Sequence, residues 1–157
     1  MANFCQARCY RDVTESPLVG HHAHLVCVVP LTILSVDDER DVTDLVRYHL
    51  SRIGLNVVTA ANGRQALSAI ESRKPDLLLL DLMLPDIDGF GVCEILRRQP
   101  ETATIPIILL TAWSTSDARH LGLELGALDY LTKPFSPKEL VDRVQRTLAL
   151  KPVAPTR

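Results

Sequence analysis

The sequence predicts an α/β fold, a doubly wound parallel sheet of five strands with a helix after each strand. Three observations predict it. From Leu31 onward, short apolar, β-rich runs alternate with helical patterns. The run LLLL at 77–80 is apolar without alternation, which implies burial on both faces and a parallel sheet covered by helices. The chain has 157 residues, 46% hydrophobic and 23% charged, the size and composition of one soluble globular domain. Right-handed crossovers then distribute the helices over both faces of the sheet.

Taken in order, the first strand is LTILSV (31–36). RDVTDLVRYHLSRI (40–53) follows, with Val42, Leu45, Val46, His49, Leu50 and Ile53 at helical spacing, and Gly54 closes it. LNVVTA (55–60) is the second strand, and GRQALSAIESR (63–73) repeats the helical pattern through Ala66, Leu67 and Ile70. DLLLLD (76–81) is the third strand, followed by a helix over 88–98. IPIILL (105–110) is the fourth, followed by a helix over 115–125 and then Gly126. ALDYLT (127–132) is the fifth. Ser136 and Pro137 open the last helix, 136–149, as an N-cap and a proline at the first helical position.

Residues 1–30 carry no sustained period and are expected to form a poorly ordered N-terminal extension. His21, His22, His24 and Cys27 are ligand types that suit zinc, but no second cluster completes a zinc-site spacing. A third reading starts translation near Val29 or Leu31. The regular pattern fills 31–150. The Pro-rich tail KPVAPTR (151–157) reads as a short linker or frayed end, with no second domain expected after it.

Composition excludes several classes. No apolar run approaches the roughly 18 residues of a membrane span, and no secretory leader is evident. Cys5, Cys9, Cys27 and Cys93 form no C-x-x-C pair, so neither a disulfide framework nor a zinc ribbon is expected, and the simplest compartment is a reducing cytoplasm. Lys and Arg number 17 against 19 Asp and Glu, which gives no bulk electrostatic reason to bind nucleic acid.

In an open α/β sheet the chemistry lies beyond the carboxyl ends of the strands. There stand Asp37 and Asp38, Asp81, Thr111 and Ala112, and Lys133 and Pro134, while Ala61, Asn62 and Gly63 form a turn without obvious chemistry. Each has a plain alternative: Asp37 or Asp38 could cap a helix, Asp81 and Thr111 could serve turns, and Lys133 could be a solvated charge. As a set they point further. Three carboxylates in one crevice repel unless a cation intervenes. Mg²⁺ suits them, because it takes one or two carboxylates together with waters and phosphate oxygens. An aspartate beside Mg²⁺ can attack phosphorus. The lysine and the threonine hydroxyl can then hold the remaining phosphoryl oxygens. The set fits acceptance of a phosphoryl group on Asp81.

The segments LSVDDE (34–39), DLMLPDIDG (81–89), ILLTA (108–112) and DYLTKPFSPKEL (129–140) resemble the response-regulator receiver domain of two-component signalling. The resemblance is closest to receivers that usually precede a winged-helix DNA-binding domain. It implies a flavodoxin-like fold of strand order 2-1-3-4-5 and a cis bond at Lys133-Pro134. It implies Asp81 as phosphoacceptor, and Mg²⁺ held by Asp38, Asp81 and the Met83 carbonyl, with Asp37 acting mostly through water. Thr111 and Lys133 would hold the phosphoryl group. Thr111 and Tyr130 would form the switch, Ala112 would leave phosphodonors access, and the face of helix four, strand five and helix five would carry the output.

The expected function is therefore that of a single-domain response regulator, not an enzyme, phosphorylated by a partner histidine kinase or phosphotransfer protein and signalling to a downstream protein. Arg119, Asp129, Glu139 and Arg143 could pair across a symmetric homodimer. Leu125 and Leu128 stand where charge is common in the family, and are either core or a more apolar contact surface. Met83 and Trp113 would flank the phosphoryl group and slow its hydrolysis.

Rival readings fit less well. A phosphohydrolase needs D-x-D, but Met83 occupies the second position. A calcium loop at DIDG (86–89) would put Leu84 and Ile95 where oxygen ligands are required. A phosphorylation-independent adaptor would not need the complete acceptor set. The basic pair Arg97-Arg98 reads as a solvated helix face rather than a nucleic-acid contact.

Overall fold

The structure is a computed structural model that describes residues 29–112, 120 and 122–149. His21, His22, His24 and Cys27, the zinc-type ligands that complete no zinc-site spacing, lie outside the described residues, as do Trp113 and Arg119.

The unit that begins at Leu31 runs β1 (Thr32–Val36), α1 (Arg40–Arg52), β2 (Asn56–Ala60), α2 (Gly63–Ser72), β3 (Leu77–Asp81), α3 (Gly89–Arg98) and β4 (Ile107–Thr111). Helical residues at 120 and 122–124, α4, follow, then β5 (Asp129–Thr132) and α5 (Pro137–Ala149). All strand pairs are parallel, in the order β2-β1-β3-β4-β5. The Lys133-Pro134 bond is cis.

Strand alternation divides the core into two layers. Leu34, Val36, Leu78, Leu80, Ile107 and Leu109 pack with Ala66 and Ile70 of α2 and Val92, Cys93 and Leu96 of α3. Ile33, Leu77, Leu79, Ile108, Leu110 and Leu131 pack with Val46 and Leu50 of α1 and Leu140 and Val144 of α5. β1, β3 and β4 are buried along their whole lengths, as expected of central strands covered on both sides.

Several local expectations shift. β2 alternates between exposed and half-buried because it is an edge strand. β4 begins at Ile107, two residues later than its apolar run, because Ile107 is the residue that pairs with Leu78. In α1, Val46 and Leu50 are buried while Ile53, just past the helix, is 41% exposed. Gly54 and Gly126 both take φ +87°, the left-handed conformation that ends a helix cheaply only at glycine. Ser136 accepts from the Glu139 N–H at 3.1 Å and caps α5.

Candidate functional site

β1 and β3 are neighbours whose crossovers lead to α1 and α3 on opposite faces, so the crevice opens between their carboxyl ends. Val36 pairs with Leu80, which sets Asp37 and Asp81 level with each other. Asp81 is in register with Leu110, and Leu110 with Leu131. Thr111 and Thr132 therefore stand one residue beyond that level, and Lys133 two beyond Leu131. Register alone gathers the residues that sequence spreads over 37–133.

Asp37 and Asp81 are buried and Asp38 is exposed, and one carboxylate oxygen from each lies within 4.8 Å of the others. Lys133 Nζ enters among them. It donates to Asp81 Oδ2 at 2.9 Å and Glu39 Oε1 at 3.1 Å, and stands 2.7 Å from Asp37 Oδ2. That last contact is an ion pair without hydrogen-bond alignment, so buried Asp37 Oδ2 has no hydrogen-bond donor. Asp37 Oδ1 accepts from the Glu39 N–H at 3.0 Å, and Asp81 Oδ1 from the Met83 N–H at 3.1 Å.

Burial raises the Asp37 pKa above its ordinary value, against the pull of Lys133 and the Glu39 amide. Burial works against the Lys133 charge too, but the carboxylates of Asp37 and Asp81 outweigh it and hold the ammonium above its ordinary range. Thr111 is buried at the end of β4, and its carbonyl accepts from the Lys133 N–H at 2.7 Å. Ala112 is exposed and lines a groove of about 380 Å³ with Glu39, Val42, Leu45, Lys133 and Phe135. The Met83 side chain is 54% exposed.

A chain that ends two adjacent strands in aspartate and closes them with a lysine has a family. Residues 33–145 match the family model for the response regulator receiver domain. The chain belongs to that family. The receiver is 48% identical over 122 residues to the alkaline phosphatase synthesis transcriptional regulatory protein PhoP of Bacillus subtilis, covering 78% of this chain and 50% of that protein. It is 46% identical over 121 residues to the phosphate regulon transcriptional regulatory protein PhoB of Pseudomonas aeruginosa, covering 77% of this chain and 53% of that one. The chain thus spans about half the length of the curated relatives it matches. Among solved structures, the Vibrio cholerae chemotaxis protein CheY4 superposes with a TM-score of 0.72 at 31% identity, over 76% of this chain and 99% of that one. The activated receiver domain of Klebsiella pneumoniae RstA gives 0.69 at 38%, over 74% and 97%. The receiver is a signalling module of two-component systems, of the kind found in winged-helix response regulators. No helix among the described residues is long and apolar enough to cross a membrane.

Away from the crevice, Tyr130 is half-buried against the α2–α3 layer with the Arg143 guanidinium 5.9 Å from its ring centre. Within the chain, Arg143 meets Asp129 at 2.5 Å and Glu139 at 3.7 Å. The two leucines part company: Leu125 packs against the core, whereas Leu128 is 55% exposed.

The receiver also uses residues that sequence reasoning missed. Arg97 is not on a solvated face. Its guanidinium donates to the carbonyls of Ala103, Ile105 (3.1 Å) and Gly126 (2.6 Å), while Arg98 pairs outside with Glu94. The turn at Asn62-Gly63 is tied to the loop after β3: Asp86 accepts from the Gly63 N–H at 2.8 Å and the Arg64 N–H at 3.1 Å. A Cβ on Gly63 would lie 2.5 Å from the Ile87 carbonyl oxygen, and one on Gly89 would lie 2.4 Å from the Asp81 carbonyl oxygen. Both glycines let the loop close beneath Asp81. Glu39, within LSVDDE, was legible only as a third acid beside two others.

Proposed function

We propose that this receiver accepts a phosphoryl group on Asp81 from a histidine kinase or phosphotransfer protein and relays the change to a partner protein. The observation that carries the reading is the Asp37–Asp81–Lys133 arrangement, in which buried carboxylates of adjacent strands share one ammonium. Glu39 also contacts that ammonium, and an Asp38 oxygen lies within 4.8 Å of those of Asp37 and Asp81.

Mg²⁺ fits this donor set. Its hard oxygen ligands would be Asp37, Asp38 and Asp81 with the Met83 carbonyl, and the unbonded Asp37 Oδ2 is the kind of buried atom a cation satisfies. Bound there, Mg²⁺ supplies positive charge to the phosphoryl oxygens. The chain's own residues do the rest. Asp81 offers a carboxylate oxygen as nucleophile, held in orientation by the Met83 N–H. Lys133 moves its ammonium from carboxylate to phosphoryl oxygen. Thr111 donates its hydroxyl to a further oxygen, and Ala112, small and exposed, leaves the donor a way in. Tyr130 follows Thr111, and the face built by α4, β5 and α5 changes for its partner. Asp129, Glu139 and Arg143 lie on that face, where a homodimer would exchange the pairs they now make within one chain. Arg119 belongs to the same proposal.

The receiver occupies 31–150 in this reading, works as a cytoplasmic signalling module rather than an enzyme, and needs neither nucleic acid nor membrane for the switch. The test is a mass spectrum after incubation with acetyl phosphate and Mg²⁺. One added phosphoryl group is expected, absent in Asp81→Asn and absent with chelator. A folded protein that gains nothing would leave a phosphorylation-independent adaptor as the better reading.

A further inference from the structure

We propose that Glu39 is a positioning residue for Lys133. Its carboxylate occupies one donor of the ammonium until a phosphoryl group arrives, and then yields it. The inference rests on the reading of Asp81 as acceptor. Lys133 Nζ lies 2.7 Å from Asp37, 2.9 Å from Asp81 and 3.1 Å from Glu39. A lysine ammonium has three N–H groups; Asp81 and Glu39 accept two of them and the Asp37 carboxylate crowds the ammonium by charge alone, so an incoming phosphoryl oxygen competes with carboxylates for the cation.

The three are not equivalent. The Asp37 and Asp81 side chains are 0% and 5% exposed, and a buried carboxylate deserted by its cation is costly. The Glu39 side chain is 63% exposed, so water replaces the ammonium there at little cost. Glu39 also stands at the N-cap of α1 yet makes no side-chain cap. Its carboxylate serves Lys133 instead of the helix. Finally, Glu39 lines the same groove as Ala112 and Lys133, where its charge repels an approaching anion. Both effects make it a brake on phosphoryl entry that depends on the donor's charge and on salt.

Glu39→Gln keeps the size and removes the charge. With acetyl phosphate, an Asp81 oxygen bonds to phosphorus as the acyl O–P bond breaks and acetate leaves with the electron pair. At low ionic strength the variant should be phosphorylated about two- to fivefold faster than the natural chain, the worth of one exposed ion pair. The gain should appear in apparent KM and shrink as salt is added. With phosphoramidate, which carries one negative charge fewer and releases ammonia as its P–N bond breaks, the gain should be smaller. Glu39→Asp, which keeps the charge, should retain the natural salt dependence. Equal rates for Glu39→Gln and the natural chain, or a gain equal for both donors and indifferent to salt, would overturn the proposal. A second readout needs no phosphoryl chemistry: the Lys133 ammonium ¹⁵N resonance should shift, and its protons exchange faster, in Glu39→Gln. If the natural chain accepts no phosphoryl group, the acceptor reading fails by itself. The resonance then decides the role of Glu39, and an unchanged one refutes it.

Discussion

Asp37 sits where burial and opposite charge compete, and burial wins. A carboxyl that keeps its proton to higher pH in the folded chain than in the unfolded one stabilises the fold below its ordinary value of 3.8. That stabilisation is lost as pH rises through the folded-state value. Without divalent metal, stability should therefore fall as pH climbs from the ordinary aspartate range. Asp37→Asn should abolish that fall and raise the melting temperature near neutral pH. Thermal melts of both proteins across pH, in chelator, check it, and a lower melting temperature for the variant near neutrality would sink the argument. Asp37, Asp38, Asp81, Thr111 and Lys133 were legible because a residue just past an apolar strand has a predictable place. Glu39 was not, because its partner lies 94 residues away and its neighbours Asp37 and Asp38 already accounted for the acid-rich run.

At the scale of elements, Arg97 joins α3 to the loop before β4 and to the turn after α4, and these bonds account for its half-burial. Arg97→Lys should cost about 1.5–3 kcal/mol, the range for hydrogen bonds to a charged group, since an ammonium cannot reproduce the guanidinium fork. Arg98→Ala should change stability by less than about 0.5 kcal/mol. Urea denaturation of the two variants separates them, and equal effects would restore the view of both as solvated. The helices and strands themselves were readable from period and run length. What escaped was lateral: an arginine next to another arginine carries no mark of which one turns inward. Likewise Asp86, set aside with the failed calcium loop, gave no sign that it would cap a helix 22 residues earlier in sequence.

For the whole molecule, any ligand that binds the folded chain alone stabilises it by mass action. Mg²⁺ at 100 times its Kd should add about 2.7 kcal/mol, read as a higher urea midpoint that chelator reverses. Asp81→Asn should weaken that gain, and a midpoint indifferent to Mg²⁺ would remove the metal from the proposed site. Strand order and crossover hand follow from general rules once the five runs are seen, which is why the architecture was legible in advance. Core layers were less so, because which helix covers which face depends on the topology as a whole.

The register of β3 and β4 has one more consequence. Asp81 shares the odd-numbered side of β3 with Leu77 and Leu79, under α1 and α5, whereas Thr111 shares the side of β4 that Ile107 and Leu109 present to α2 and α3. The two groups stand at the ends of neighbouring strands, where no further sheet lies between them. A bond between them at the rim would work as a hasp around the end of a partition, linking compartments that the sheet otherwise keeps apart. Lengthening β4 by a single residue would carry the hydroxyl across to the other side of the sheet, and no change of side chain could bring it back.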